Sequence, residues 1–444
     1  MVLQRESAVH FWGTSKPGNT IKVFTSWDHE NYTTKTDDFG KWQMVLSTTK
    51  AGGPYKITVE CDTTIVLKNI LLGDVWICSG QSNMDMPLKG FEGQGVEGSQ
   101  QEIVMAGQFR NIRFFKVERK KSSVPLKELS LGEQWQTSNS SNTSGFSAVA
   151  WFFGKMIHQA TGVPIGLIQV SWGGTAAELW VSKEGIAHLP KIDTAKVVAV
   201  SGDKGKLKSS MLYNAMINPL TRLKIKGVIW YQGESNVKNY ALYYKLFPEL
   251  ITDWRTKWNR ELPFYFVQIA PFMYSAPDST ESAFLREAQL KTMMTVPNTG
   301  MAVTLDIGYI DHIHPEKKKE VGERLAYWAL AHDYSVKGLD YTAPVYKSME
   351  IKNDTMIIVH LKNDGSWITR VRSDELEGCF EIAGKDRHFH PAKARVQEWN
   401  DYVEVWSKEV PSPVAVRYCF KNWCTGKLKA ANGLPVSSFR TDDW

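Results

Sequence analysis

A strand-like apolar run, Gly73-Asp74-Val75-Trp76-Ile77-Cys78, leads without a break into the polar turn Ser79-Gly80-Gln81-Ser82-Asn83. A serine at the carboxyl end of a buried parallel strand stands where open α/β sheets carry their reactive groups. Its hydroxyl becomes a nucleophile only if a base takes the proton and donors hold the developing oxyanion. The chemistry that this turn points to is acyl transfer through Ser82. A plainer role, Ser82 as a helix cap, suits the same turn. The α/β-hydrolase elbow Gly-x-Ser-x-Gly does not fit, because Met84 stands where its second glycine belongs.

A base is offered far downstream, in Asp306-Ile-Gly-Tyr-Ile-Asp311-His312-Ile-His314-Pro315. Asp311 and His314 are three apart, and on one turn the carboxylate would orient the imidazole whose other nitrogen serves the hydroxyl. His314 could instead cap the following helix, or join His312 in half of a metal site. No further His or Cys stands nearby at ligand spacing, so no metal and no cofactor is expected. Oxyanion donors are offered by two more turns at strand ends: Gly173–Gly174 after the strand ending at Val170, and Gln232, Glu234 and Asn236 after Tyr231. Each turn alone is an ordinary strand end; the weight lies in finding all of them after apolar strands.

The elements that position these turns are legible as well. Apolar runs at 72–78, 163–170, 225–231, 262–269 and 300–306 alternate with helix-like stretches at 146–160, 243–258 and 282–294. Near-continuous apolar strands separated by amphipathic helices predict a parallel sheet covered on both faces. A further helix follows Pro315, with Val321, Leu325, Trp328 and His332 at helical spacing. Residues 1–68 alternate as β strands, with Trp42, Met44 and Leu46 on one face and Tyr55, Ile57 and Val59 on another. β character returns over 343–444. The expected organisation is an N-terminal β domain (1–68), a catalytic α/β domain (69–342) and a C-terminal β domain (343–444).

The 444 residues carry a formal net charge of +6, and the basic runs 116–121 and 316–320 are short and interrupted. They read as solvated faces, not as a nucleic-acid stripe. No segment is apolar enough for a membrane span. Five cysteines make no disulfide framework, although Cys419 and Cys424 stand close enough in sequence to pair. The 17 Trp and 16 Tyr suit sugar platforms, though most such rings are core. The opening residues already read as folded β structure, and the expected location is periplasmic or secreted, with any leader cut away.

In combination, GDVWICSGQSNM (73–84), SWGGTAAELW (171–180), LYNAMINPL (212–220), GVIWYQGESN (227–236), LREAQ (285–289) and the stretch from Asp306 through IHPEKKKEVGERLA strongly resemble the sialate O-acetylesterase family of SGNH (GDSL-like) hydrolases. The β flanks match too, so the resemblance spans nearly the whole chain. It implies a three-layer, flavodoxin-like α/β domain between β-sandwich-like domains, and a serine esterase that releases acetate from an acetylated sugar. It implies Ser82 as nucleophile, His314 as general base and acid, and Asp311 as the orienting carboxylate. It implies an oxyanion hole of the Ser82 and Gly174 N–H groups with the Gln232 side chain. Two positions depart from the superfamily pattern. Where an asparagine is usual after a glycine, this chain has Gln232 and, further on, Asn236. The residue three before the histidine is not acidic in every relative, which leaves Asp306, or a Ser–His dyad, as the alternative. An acetylxylan or other plant-polysaccharide esterase, and a degenerate carbohydrate-binding protein, are the competing readings. The implied partner is an acetylated carbohydrate.

Overall fold

Alternation in the first seventy residues builds two facing β layers. Strands β1 (Val2–Gln4), β2 (Ala8–Thr14), β3 (Thr20–Thr25), β4 (Asn31–Lys35), β5 (Lys41–Ser47) and β6 (Gly52–Glu60) precede the long β7 (Thr64–Gly80). β2 pairs with β5, while β3 pairs with β4 and β6. Val9, Ile21, Val23, Trp42, Leu46, Ile57, Val59 and Ile70 form the core between the layers. Burying such apolar faces contributes about 25 cal/mol per Å² removed from water. Trp42, Leu46, Ile57 and Val59 point inward as the alternation predicts. The computed structural model describes residues 1–130, 134–190, 207–362, 366–397 and 402–444.

β7 changes character along its length. Residues 64–69 are largely exposed and pair with β6, whereas every residue from Ile70 to Gly80 is buried. The buried half lies parallel to β1 through Leu71–Gly73 and to β10 (Ile165–Ser171) through Asp74–Gly80. The expected boundary at 68/69 thus falls inside one strand. Strands β8 (Ile112–Lys116), β9 (Gln136–Thr137) and β11 (Gly227–Tyr231) complete the order β11-β7-β10-β8-β9, with β8 parallel to β10. β10 and β11 are buried at every position, as parallel strands covered on both faces must be.

Two helices in this part matter for the site. The short α1 (Ser82–Asp85) follows β7 directly. Helix α2 (Ala148–Thr161) starts where the Ser147 hydroxyl accepts the Ala150 N–H, and ends at Gly162, whose φ of 70° is left-handed. Helices α3 (Tyr240–Trp258), α4 (Glu281–Thr295) and α5 (Lys318–His332) fall where the sequence places them.

The chain forms two compact units, Met1–Trp230 with Ile251–Phe264, and Tyr231–Leu250 with Tyr265–Trp444. The second holds neighbouring strands β12 (Phe264–Val267) and β13 (Thr299–Ala302), apart from Phe264, and a separate seven-stranded antiparallel sheet. That sheet is built from β14 (Val345–Lys352), β15 (Met356–Lys362), β16 (Phe380–Ala383), β17 (Phe389–Gln397), β18 (Tyr402–Trp406), β19 (Ala415–Tyr418) and β20 (Phe439–Arg440), in the order β14-β15-β18-β17-β16-β19-β20. The protein is a mixed α/β molecule with a central, mostly parallel sheet and a separate antiparallel one. Cys419 and Cys424 are joined by a disulfide, the local pair that their spacing allows.

Candidate active site

In the first unit, strand register assembles a polar turn from two chain segments. Gly80 of β7 stands opposite Ser171 of β10. Two residues further along each chain stand Ser82 and Gly173, and they meet: a Cβ on Gly173 would lie 3.4 Å from Ser82 Cβ. Glycine at 173 therefore lets the backbone pass close beside the serine. Gly174 follows with a left-handed φ of 72°, and the Thr175 hydroxyl closes this turn on the Trp172 carbonyl at 2.7 Å. Ser82 is partly exposed at the first position of α1, while Asn83, Met84 and Asp85 behind it are buried. Both turns sit at carboxyl ends of parallel strands, as the sequence predicts for Ser82 and for Gly173–Gly174.

Below the serine lies a polar network. Asp85, 5 % exposed, accepts from the Ser171 hydroxyl at 2.8 Å and from Gln169 Nε2 at 3.3 Å, and pairs with Arg119. Gln169 Oε1 in turn accepts the Ser147 N–H at the start of α2. One carboxylate thus ties the serine's helix to β10 and, through it, to α2. Removing it strands buried donors. Asp85→Ala should lower unfolding free energy by about 1–3 kcal/mol, measurable by denaturant titration; an unchanged midpoint would dismiss the network as decoration. Nothing in the spacing of residues 85, 119, 169 and 171 announces this group.

The second unit carries the remaining expected residues. Gln232 follows β11 and is wholly buried. Tyr243 Oη donates to its Oε1 at 3.0 Å, and its Nε2 donates to Asn236 Oδ1 at 2.7 Å. Asn236 lies inside a 3-10 turn (Glu234–Asn239) and spends its carbonyl on Gln232. The two residues offered as alternative donors are therefore one hydrogen-bonded pair, and Gln289 Nε2 holds the Gln232 backbone carbonyl at 3.2 Å.

His314 is half-buried, and burial, with the charge of Lys318 adding, lowers its pKa to about 4. Lys318 opens α5 one turn further on and is fully buried. Its Nζ lies 5.6 Å from the centre of the Tyr231 ring. Burial lowers its pKa to about 7 against the opposing pull of Glu234. Burial, with Glu234 adding, also pushes the Tyr231 and Tyr274 phenols well above their ordinary value. The 316–320 run is thus not wholly a solvated face. Lys318 stands three and seven residues before Val321 and Leu325, so it continues the inward stripe of α5, and that spacing is the signal by which it could have been found.

The expected Asp311–His314 pairing is not what the structure draws. Asp311 Oδ1 lies 2.7 Å from His312 Nδ1, with both side chains more than half exposed. Spacing of three puts residues together only on a helix, and 311–314 is not helical. Pro315 disfavours the helical conformation for His314. Asp306, the alternative, is held bidentately by Arg324 at 2.8 Å with Lys429 at 3.3 Å. Burial opposes ionisation there, but these cations outweigh it and leave the carboxyl below its usual range. Among the described residues the only His/Cys/Asp/Glu group with metal-like convergence is Cys379 with the disulfide cysteines, remote in sequence from these turns.

A base already neutral well below pH 6 should keep working in mild acid. The acid limb of kcat/KM for a small acetate ester should have its midpoint near 4, where His314 titrates. Lys318→Met should move that midpoint upward, because a nearby cation no longer opposes protonation. A profile unchanged by the substitution would show that the imidazole does not feel Lys318.

Comparison with known proteins places the chain among esterases. The family described as carbohydrate esterase, sialic acid-specific acetylesterase, matches residues 72–331. A sialate O-acetylesterase of Mus musculus is 30% identical, over 95% of this chain and 88% of its own length. That of Homo sapiens is 33% identical, over 79% and 72%. The crystal structure of a carbohydrate acetylesterase from Xanthomonas citri is 36% identical and superposes with a TM-score of 0.88, covering 100% of this chain and 97% of that one.

Proposed function

The chain belongs to the sialic acid-specific acetylesterase family of carbohydrate esterases, and from that footing we propose that Ser82, His314 and the turns around them hydrolyse acetyl esters of sialic acid. The protein is a carbohydrate O-acetylesterase, a serine carboxylic-ester hydrolase that releases acetate from acetylated sugar. Ser82 Oγ attacks the acetyl carbonyl while His314 takes its proton. The oxyanion is held by the Ser82 and Gly174 N–H groups and by the Gln232 amide. Collapse expels the sugar oxygen, which takes the proton back from His314. Water, deprotonated by the same imidazole, then attacks the acetyl-enzyme and frees acetate. The observation that supports this most is the register of β7 with β10, which brings Gly173 against Ser82. We read the α/β part as the three-layer SGNH arrangement, with residues 1–68 and 343–444 as its β-sandwich-like flanks.

For Asp311 to orient His314 it must leave His312, which it holds here; Asp306 and a Ser–His dyad are the alternatives. The two variants should part company. Asp306→Asn breaks a buried pair with Arg324, whose side chains are 7% and 9% exposed, and should cost stability, on the order of 3 kcal/mol. Asp311→Asn, at an exposed position, should leave the melting point alone and lower kcat. If kcat is untouched by Asp311→Asn, the carboxylate is Asp306 when folded Asp306→Asn protein loses kcat, and the site runs as a Ser–His dyad when it does not. The reading as a whole is tested by acetate release from acetylated sialic acid set beside acetylated xylan; equal or faster release from xylan would overturn the sialate assignment.

A further inference from the structure

A concavity lies wholly within the first unit and contains none of the residues assigned to catalysis. It measures about 920 Å³ and is walled by the ends of β2, β4 and β5, by residues 127–128, and by the turn before β11. Clefts that hold small molecules run from about 300 to 1,000 Å³, so this one has room for an oligosaccharide rather than a single ring. Its floor is Trp42, 8% exposed, packed under Gly13, where a Cβ would come within 2.7 Å of the indole. Its wall is Trp12, half-buried, whose ring lies 4.6 Å from the Arg222 guanidinium. Arg222 is further held by Gln43 Oε1 at 3.0 Å and stands 3.8 Å from Glu128.

The charges around this cleft are not balanced. Asp37 is used by its own turn, accepting the N–H groups of Phe39 and Lys41. Glu128 faces Arg222. Lys35, Lys41 and Lys127 line the same cleft, are exposed, and form no ion pair among the described residues. Three unpaired ammonium groups thus share one cleft with two indoles. Aromatic surface and cations in one cleft are complementary to sugar rings that carry carboxylates.

We propose that this cleft is a non-catalytic subsite for a sialylated glycan, binding the carboxylate-bearing sugars of the chain whose acetyl group is being removed. The choice of sialic acid as the source of those carboxylates rests on the function proposed above; the acidic-glycan character rests on the cleft alone. Lys35, Lys41 and Lys127 meet the carboxylates and Trp12 meets a ring face. Held there, a long substrate would reach the esterase at raised local concentration, so the effect falls on KM for polymers and not on small esters.

The test is a titration of the protein with an unacetylated tetramer of sialic acid, read by tryptophan fluorescence and calorimetry, beside a neutral glucan tetramer and a galacturonic acid tetramer. The wild type should bind the sialic acid tetramer, more weakly as salt rises, and the glucan not at all. Lys35→Glu/Lys41→Glu should weaken that binding by about tenfold or more, Trp12→Ala should weaken it independently, and hydrolysis of p-nitrophenyl acetate should be unchanged in both. Equal affinity for the neutral tetramer, or unchanged affinity in the lysine variant, would overturn the subsite. Tighter binding of the galacturonate tetramer would overturn the sialic acid assignment. Because binding is read without acetate release, tetramer binding by a protein that spares acetylated sialic acid would sink the proposed function and leave the subsite standing.

Discussion

Ser82→Ala should abolish acetate release, lowering kcat/KM by about a thousandfold or more, while the protein melts where the wild type does. The first half follows from chemistry: Ser82 offers a partly exposed hydroxyl where the β7 and β10 turns meet, whereas the Thr175 hydroxyl of the same turn is buried and donates to the Trp172 carbonyl. The second follows from position. Ser82 is partly exposed at the start of a four-residue helix that is held by Asp85 and by backbone bonds such as Met86 N–H to the Ser82 carbonyl at 2.8 Å. Losing one oxygen there removes no packing. Turnover of a chromogenic acetate ester gives the first quantity and calorimetric melting the second. A variant that keeps more than about a tenth of wild-type turnover would remove Ser82 from the mechanism.

Gln232→Ala should lower kcat by roughly a hundredfold with little change in KM, the signature of a donor used mainly in the transition state. The hydrogen bonds around Gln232 sharpen this expectation. Tyr243 Oη on its carbonyl and Asn236 on its Nε2 fix the amide plane, so any remaining N–H is aimed without further loss of freedom. In the proposed mechanism they also give Asn236 a part, as the residue that positions the donor. Asn236→Ala takes away the acceptor that orients the amide, and it should reduce kcat as well, though less than loss of the amide itself. Steady-state kinetics on both variants, each confirmed folded by circular dichroism, decides the order. If Asn236→Ala were the more damaging, with Gln232→Ala near normal, the oxyanion donor would be Asn236.

Local signals carried the strands and their turns. Continuous apolar stretches with glycine or polar residues at their ends are enough to place β7, β10 and β11, and the turns bearing Ser82, Gly174 and Gln232 follow from that. What escaped was anything decided by three-dimensional company. Spacing alone suggested Asp311 beside His314, but Pro315 keeps that segment out of helix and the aspartate turns to His312. Charge alone suggested that Lys318 was solvated, but it occupies the buried stripe of α5. Asp85, Gln169 and Ser171 come together only because two strands and a helix do, and no window of sequence contains all three. The 68/69 boundary was drawn at a change of composition, while the backbone simply continues.

That continuity has an evolutionary consequence. An accessory domain joined through a flexible tether can be gained, lost or exchanged by recombination, because the cut falls where nothing is paired. Here the exposed part of β7 closes the N-terminal layers and its buried part ends one residue short of α1 and Ser82, within a single run from Thr64 to Gly80. A crossover anywhere in that run would have to preserve the pairing with β6, β1 and β10 together, and a slip of one residue would turn each side chain to the opposite face. The N-terminal layers and the nucleophile turn should therefore be inherited as one block, and chimaeras that graft a foreign module at residue 68 should lose the esterase along with the graft.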